Sequence, residues 1–260
     1  MNASADRDAD LATALGRAFR LLTAFGPADT ELSLAELCRR TGIPKSTAHR
    51  QLKELEGWDV VERTPGGFRL GIRLFELGQL APRQRGLREA AMPFLADLLE
   101  ATHETVHLAV PDGTDMVYVD KIDTRRAPAL PSRVGGRMPS HCTAVGKAVL
   151  AFSPPDRVQA VLRTGLARRT PRTVVAPGIL LRQLAEVRRT GIAAEHEESE
   201  VGLSCVAAPV FDARSRPIAA ISLSGRSSRF EAARLGPAVR TAALGLSRAL
   251  VGTLGAGLTS

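Results

Sequence analysis

Only three cysteines occur in the 260 residues, Cys38, Cys142 and Cys205. Their odd number and wide spacing exclude a disulfide framework, and no C-x-x-C pair starts a zinc site. The chain also lacks any apolar run near the roughly 18 residues that a membrane helix needs. Its first ten residues, MNASADRDAD, are polar and hold no signal-peptide core. That predicts a frayed tail over residues 1–10 and a cytoplasmic protein with no membrane partner. Repeats and low-complexity tracts are missing as well. A phosphate loop is excluded at Gly146-Lys147, because His141 takes the place of its first glycine and Ala148 that of the Ser or Thr that would hold magnesium.

What is present is ordinary for a soluble globular protein, with 44% hydrophobic and 24% charged residues. The length suits one small domain followed by a medium one. The net charge of +8 points toward an anionic partner, yet residues 1–80 hold 11 Lys and Arg against 11 Asp and Glu. The basic excess lies beyond residue 80, mostly as single arginines on a solvated surface. For nucleic acid the local distribution matters more: residues 37–53 carry five cations and no acid.

That acid-free segment lies within residues 33–63, SLAELCRRTGIPKSTAHRQLKELEGWDVVER. An amphipathic helix is expected before it over residues 11–25, with Leu11, Leu15, Ala18, Phe19 and Leu22 on one face. Ser33 and Glu36 have the spacing of a reciprocal capping box, and Gly42 suits the left-handed residue that closes a helix over 33–41. A second helix starts near Pro44 and stops near Gly57. Ala48, Leu52 and Leu55 fall on one side of it, with Ser46, His49, Arg50 and Lys53 on another. Residues 58–63 read as a strand, residues 64–67 as a turn and residues 68–70 as the return strand. Three helices and a hairpin make a winged helix-turn-helix, whose second motif helix enters the major groove of double-stranded DNA. Ser46, Thr47, His49 and Arg50 are the candidates for base edges. Lys45, Lys53, Arg63 and Arg69 are the candidates for phosphates. A solvated basic face is the plainer explanation of such a helix alone; the wing beside it favours DNA.

A further amphipathic helix is expected over residues 71–80, and the linker helix is set at 72–88. Helices then alternate with short strands over residues 89–260. Strands are expected at 105–110, 116–122, near 133–134, and at 192–195, 203–211 and 217–223. Helices are expected at 89–102, 142–152, 154–164, 178–190 and 229–251.

Residues 136–148, GRMPSHCTAVGKA, resemble the G-x-x-P-x-x-x-T/S-A-x-G-K-A stretch of IclR-family transcriptional regulators. Glu197-Glu198 with residues 202–210 (GLSCVAAPV), and residues 219–225 (AAISLSG), are similar to two later segments of that family, and GIPKSTAHR at 42–50 to its recognition-helix signature. The resemblance spans about residues 11–251. It implies an α+β chain with a winged helix-turn-helix over 11–71, the linker helix, and a GAF-like domain over 89–260 in which helices flank an antiparallel sheet. It implies a repressor or activator, a homodimer or homotetramer on a palindromic operator, whose GAF-like domain binds a small effector, often a carboxylate. By the same resemblance the effector site takes Thr143, Ala144, Val145, Glu195, Cys205, Ser222 and Ser224. Helix-start N–H groups near Thr143 suit a carboxylate, and Ser222 and Ser224 share one strand face. Val145 is larger, and Glu195 longer, than the residues common there.

Two other functions remain on the sequence alone. A hydrolase using Cys142 or Cys205 predicts turnover lost on thiol alkylation. A protein adaptor predicts a winged helix without salt-dependent duplex affinity. No catalytic residues, cofactor or metal ligands are assigned. Glu197 and Glu198 are expected as surface acids paired with nearby arginines.

Overall fold

The computed structural model describes residues 13–123 and 132–256. The expected tail over 1–10 and the first two residues of the expected helix over 11–25 lie outside them. The chain divides into two compact units, Met1–Pro82 and Arg83–Ser260.

In the first unit, α1 (Ala14–Thr23), α2 (Leu34–Thr41) and α3 (Lys45–Glu56) enclose Leu21, Leu37, Ile43, Ala48 and Leu52. Ser33 caps α2 by accepting the Glu36 N–H at 3.2 Å, and Gly42 closes it at φ +72°. The return half of the capping box does not form, because the Glu36 carboxylate holds Arg39 and Arg40 instead. The apolar stripe of α1 is helical as expected, but most of it does not meet the core. Leu21 is its buried residue, while Leu15 and Phe19 are 68% and 59% exposed.

The wing pairs β1 (Val61–Thr64) with β2 (Gly67–Leu70), and Leu32 bridges to Phe68. Strand pairing starts three residues later than expected. Trp58 and Asp59 form a turn in which Asp59 is left-handed (φ 57°). The single linker helix expected over 72–88 is two helices, α4 (Arg73–Gln79) and α5 (Pro82–Thr102). Pro82 accounts for the break: it has no N–H for the preceding helix, and it disfavours helical backbone at Ala81.

In the second unit an antiparallel six-stranded sheet has the order β5-β4-β3-β8-β7-β6. Its strands are β3 (Thr105–Asp112), β4 (Asp115–Ile122), β5 (Arg137–Pro139), β6 (Ala193–His196), β7 (Leu203–Phe211) and β8 (Pro217–Arg226). The strand expected near 133–134 is absent. Val134 and Gly135 form a turn, and pairing resumes at Arg137. The expected Pro111-Asp112-Gly113 turn narrows to Gly113-Thr114, because β3 runs through Asp112.

Alternation along each strand sorts side chains between two cores. Val206, Ala208, Ile221 and Leu223 pack with α5 and with α9 (Ala232–Ala256). Ala109, Cys205, Ala207 and Ala220 face the core built with α6 (Ala144–Phe152), α7 (Pro155–Arg163) and α8 (Pro177–Thr190). By the same parity His107, Ser222 and Ser224 face α6. A Cβ added at Gly146 would lie 2.1 Å from the Ser140 carbonyl oxygen. Only glycine lets the first turn of α6 pack that closely on the Ser140–Cys142 turn.

Candidate nucleic-acid interface and ligand cavity

Helix α3 docks through Ala48 and Leu52, with Gln51 also buried, a polar residue the apolar pattern did not mark. Lys45, Ser46, His49, Arg50 and Lys53 are exposed, and Thr47 is half-buried beside them. Of the five cations in 37–53, two are neutralised locally. Arg39 pairs with Glu36, and Arg40 bridges Glu36 and Asp29. The Arg39 and Arg40 guanidinium groups hold the Glu36 carboxyl down at about 2. Lys45, Arg50 and Lys53 have no ion-pair partner among the described residues, so the available positive charge lies on α3 itself. In the wing, Arg63 reaches Glu56 at 3.4 Å and stacks over the Phe68 ring, while Arg69 binds Glu62 across the hairpin at 2.7 Å. A phosphate would have to compete with these exposed pairs, a small cost.

In the second unit Thr143, Ala144, Val145, Glu195, Cys205, Ser222 and Ser224 all line one small cavity. It encloses about 20 Å³, room for roughly one water molecule. His107, Tyr118, Ser132, Met138, Ser199 and Leu203 line it too, and the sequence reading missed them. Strand parity was a usable signal for His107, which pairs with Ser222 across β3 and β8. Nothing in the sequence brings Tyr118, Met138 or Ser132 there without the strand order.

Thr143 caps α6, its hydroxyl accepting the Gly146 N–H at 3.2 Å. The N–H groups of Ala144 and Val145, without intrahelical partners at any helix start, border the cavity. Opposite them a hydrogen-bonded line crosses four strands. His107 Nε2 meets Ser132 at 2.7 Å, its Nδ1 meets Ser224 at 3.4 Å, and the Ser224 hydroxyl donates to Cys205 Sγ at 3.0 Å. The Cys205 thiol in turn bonds the Glu195 carboxylate. With the Ser224 hydroxyl directed at sulfur, the tautomer that satisfies the line has His107 donate from Nδ1 to Ser224 and accept the Ser132 hydroxyl at Nε2. Glu195 also receives the Glu198 N–H at 2.8 Å and the Ser199 hydroxyl at 3.1 Å, and burial pushes its carboxyl upward. Among the described residues the hydroxyls of Ser222 and Tyr118 have no hydrogen-bond partner, although Ser222 is 2% exposed.

Burial, then the nearby Lys121 charge, presses His107 down from 6.5 to about 3. On unfolding it would therefore take up a proton that the folded imidazole refuses. Acidification below pH 6.5 should thus cost up to about 1.4 kcal/mol per pH unit from this residue. Denaturant unfolding at successive pH values tests this, and His107→Asn should flatten the slope.

The neighbouring acids correct the surface reading. Glu197 does pair with Arg172, at 3.1 Å, but Glu198 is buried against Lys147 of α6. Cys142 and Cys205 are poor nucleophiles: burial pushes the Cys142 thiol to about 12 and raises Cys205 well above 9. Among the described residues no three His, Cys, Asp or Glu gather as a metal site, and no helix is long and apolar enough to cross a membrane.

Residues 14–65 match the IclR helix-turn-helix domain, and residues 80–248 match the bacterial transcriptional regulator IclR C-terminal domain. The chain is 37% identical over 240 residues to the HTH-type transcriptional regulator XynR of Escherichia coli, spanning 90% of this chain and 95% of that protein. It is 34% identical over 220 residues to the Transcriptional repressor IclR of Escherichia coli, spanning 83% and 80%. A crystal structure of an IclR homolog from Microbacterium hydrocarbonoxydans, complexed with 4-hydroxybenzoate, superposes with a TM-score of 0.85 at 30% identity, covering 92% of this chain and 99% of that one.

Proposed function

Because this chain belongs to the IclR family of DNA-binding bacterial transcriptional regulators, we propose that it is a cytoplasmic, ligand-responsive regulator whose operator affinity is set by a small organic acid in the cavity beside α6. The reading rests above all on one observation: two hydroxyls without a hydrogen-bond partner among the described residues line one cavity together with a helix start. The N–H groups of Ala144 and Val145 receive the carboxylate, helped by the helix dipole. Ser222, Ser224 and Glu195 engage the rest of the ligand, with Thr143 fixing the helix start and Cys205 relaying to Glu195. Binding shifts the balance between DNA-competent and incompetent states, and residues 72–88 carry that shift between an operator-binding region (11–71) and a GAF-like effector domain (89–260). No catalytic step is assigned, in keeping with the protonated thiols.

On the DNA side, Ser46, Thr47, His49 and Arg50 read bases, and Lys45 and Lys53 hold phosphates. Arg63 and Arg69 exchange their glutamates for phosphate as the wing seats. Leu15, Phe19, Ile72, Phe75 and Leu80 are each more than half exposed on or beside α1 and α4. So much apolar surface on one small unit favours a second copy of the chain there. A two-fold dimer, or a tetramer of two such dimers, then implies a palindromic operator.

Anisotropy of labelled duplexes from the chain's own promoter region, with and without candidate acids, tests the whole reading. Ser222→Ala should leave duplex affinity unchanged and weaken the ligand about tenfold, the value of one hydrogen bond. Wild-type ligand affinity in that variant would remove Ser222 from the site.

A further inference from the structure

We propose that the cavity selects a compact monocarboxylate bearing one neutral oxygen function, and that Glu195 is the residue that rejects a second carboxylate. This rests on the cavity being the effector site and adds to that reading the charge class of its ligand.

The lining holds a single place for an anion, the start of α6. Among the described residues it contains no Lys or Arg. Three cations among the described residues whose charges reach His107 or Cys142 are each turned to another partner. Lys147 is bound to Glu198, Lys121 Nζ to the Ser132 carbonyl at 3.1 Å, and Arg169 Nε to the Ser199 carbonyl at 3.2 Å. His107, the one lining base, is uncharged, so it offers no counter-charge. From its strands β6, β7 and β8 the cavity receives hydroxyls, a thiol and the carboxyl of Glu195, a residue 3% exposed.

Two carboxylates facing each other in so closed a space cannot both stay ionised without a large penalty. A ligand hydroxyl is different: it donates to Glu195 and accepts from the Ser222 or Tyr118 hydroxyl, neither of which has another partner among the described residues. A ligand carbonyl oxygen accepts from the same hydroxyls. Selection thus works by rejection as much as by attraction. The small free volume and the valine at position 145 favour the shorter ligands.

The test uses the full chain, titration calorimetry, and acids matched in length but not in charge. The pairs are glycolate and oxalate, gamma-hydroxybutyrate and succinate, and para-hydroxybenzoate and terephthalate. In the pair that fits best, the hydroxy acid should bind at least about tenfold tighter than its diacid. Glu195→Gln should shrink that ratio by raising diacid affinity, whereas Glu195→Asp, which keeps the charge, should preserve the preference. If Glu195→Gln does not fold, the wild-type ratios and Glu195→Asp decide. A diacid that binds wild type as well as its hydroxy acid overturns the charge rule alone, as does an unchanged ratio in a folded Glu195→Gln. Binding of none of the six acids, by a chain that still binds duplex DNA, overturns the charge rule together with the assignment of the cavity to an acid.

Discussion

Arg50→Ala should weaken specific duplex binding by roughly 1–3 kcal/mol, about fivefold to a hundredfold or more. Arg50 is exposed on α3 and has no ion-pair partner among the described residues, so its guanidinium is available to a guanine edge at no internal cost. The same isolation makes stability a clean control, because removing the side chain leaves no buried group unpaired. Lys53 provides the contrast. If it touches phosphate, Lys53→Ala weakens specific and non-specific duplexes alike and lowers the salt slope by about one. Fluorescence anisotropy with an operator and a scrambled duplex, at several salt concentrations, separates the two roles. Unchanged operator affinity in Arg50→Ala would withdraw α3 as the reading element.

The recognition segment carries less free positive charge than its composition suggests. The acid-free run over 37–53 has five cations, but acids outside it, Asp29 and Glu36, reach in to hold Arg40, and Glu36 holds Arg39. What remains is Lys45, Arg50 and Lys53 on one helix.

Local chemistry was legible in the sequence where one residue type has one physical use. Ser33, Gly42 and Thr143 sit at helix ends because a short hydroxyl or a left-handed backbone is needed there, and β7 follows its apolar run from Leu203 to Phe211. Orientation was less legible. The α1 stripe at Leu15 and Phe19 has helical period, yet period alone does not say whether an apolar face meets its own core or another surface. The wing arginines follow the same rule, since only the Glu62–Arg69 register shows that their charges are paired. The cavity was half legible. Residues on α6, β6, β7 and β8 were in reach through the family resemblance, whereas Tyr118 and Met138 arrive by a strand order that no local pattern encodes.

The pair least visible in the sequence should carry the largest effect on stability. Lys147 and Glu198 are 51 residues apart, and their side chains are 1% and 7% exposed. Glu198 also accepts the Val174 N–H at 3.4 Å, and its own carbonyl takes the Thr173 hydroxyl at 2.7 Å. Removing one charge leaves the other buried without compensation, so Lys147→Met should cost about 3–5 kcal/mol. The Lys147→Met/Glu198→Met double variant should lose much less than the sum of the singles, because two apolar side chains then replace two desolvated ions. The chain's one tryptophan and one tyrosine report on different units: Trp58 lies in the first, and Tyr118 borders the cavity in the second. Urea unfolding followed at both should show the loss at Tyr118 and leave the Trp58 transition in place. A deficit under about 1 kcal/mol, or strict additivity in the double variant, would mean that the pair is solvated and dispensable. The effect should also reach the ligand. Glu195 and Ser199 flank Glu198 and line the cavity, and Lys147 belongs to the helix whose first turn receives the carboxylate, so the ion pair ties the two walls of the site together. Lys147→Met should therefore weaken ligand binding even under conditions where the second unit stays folded.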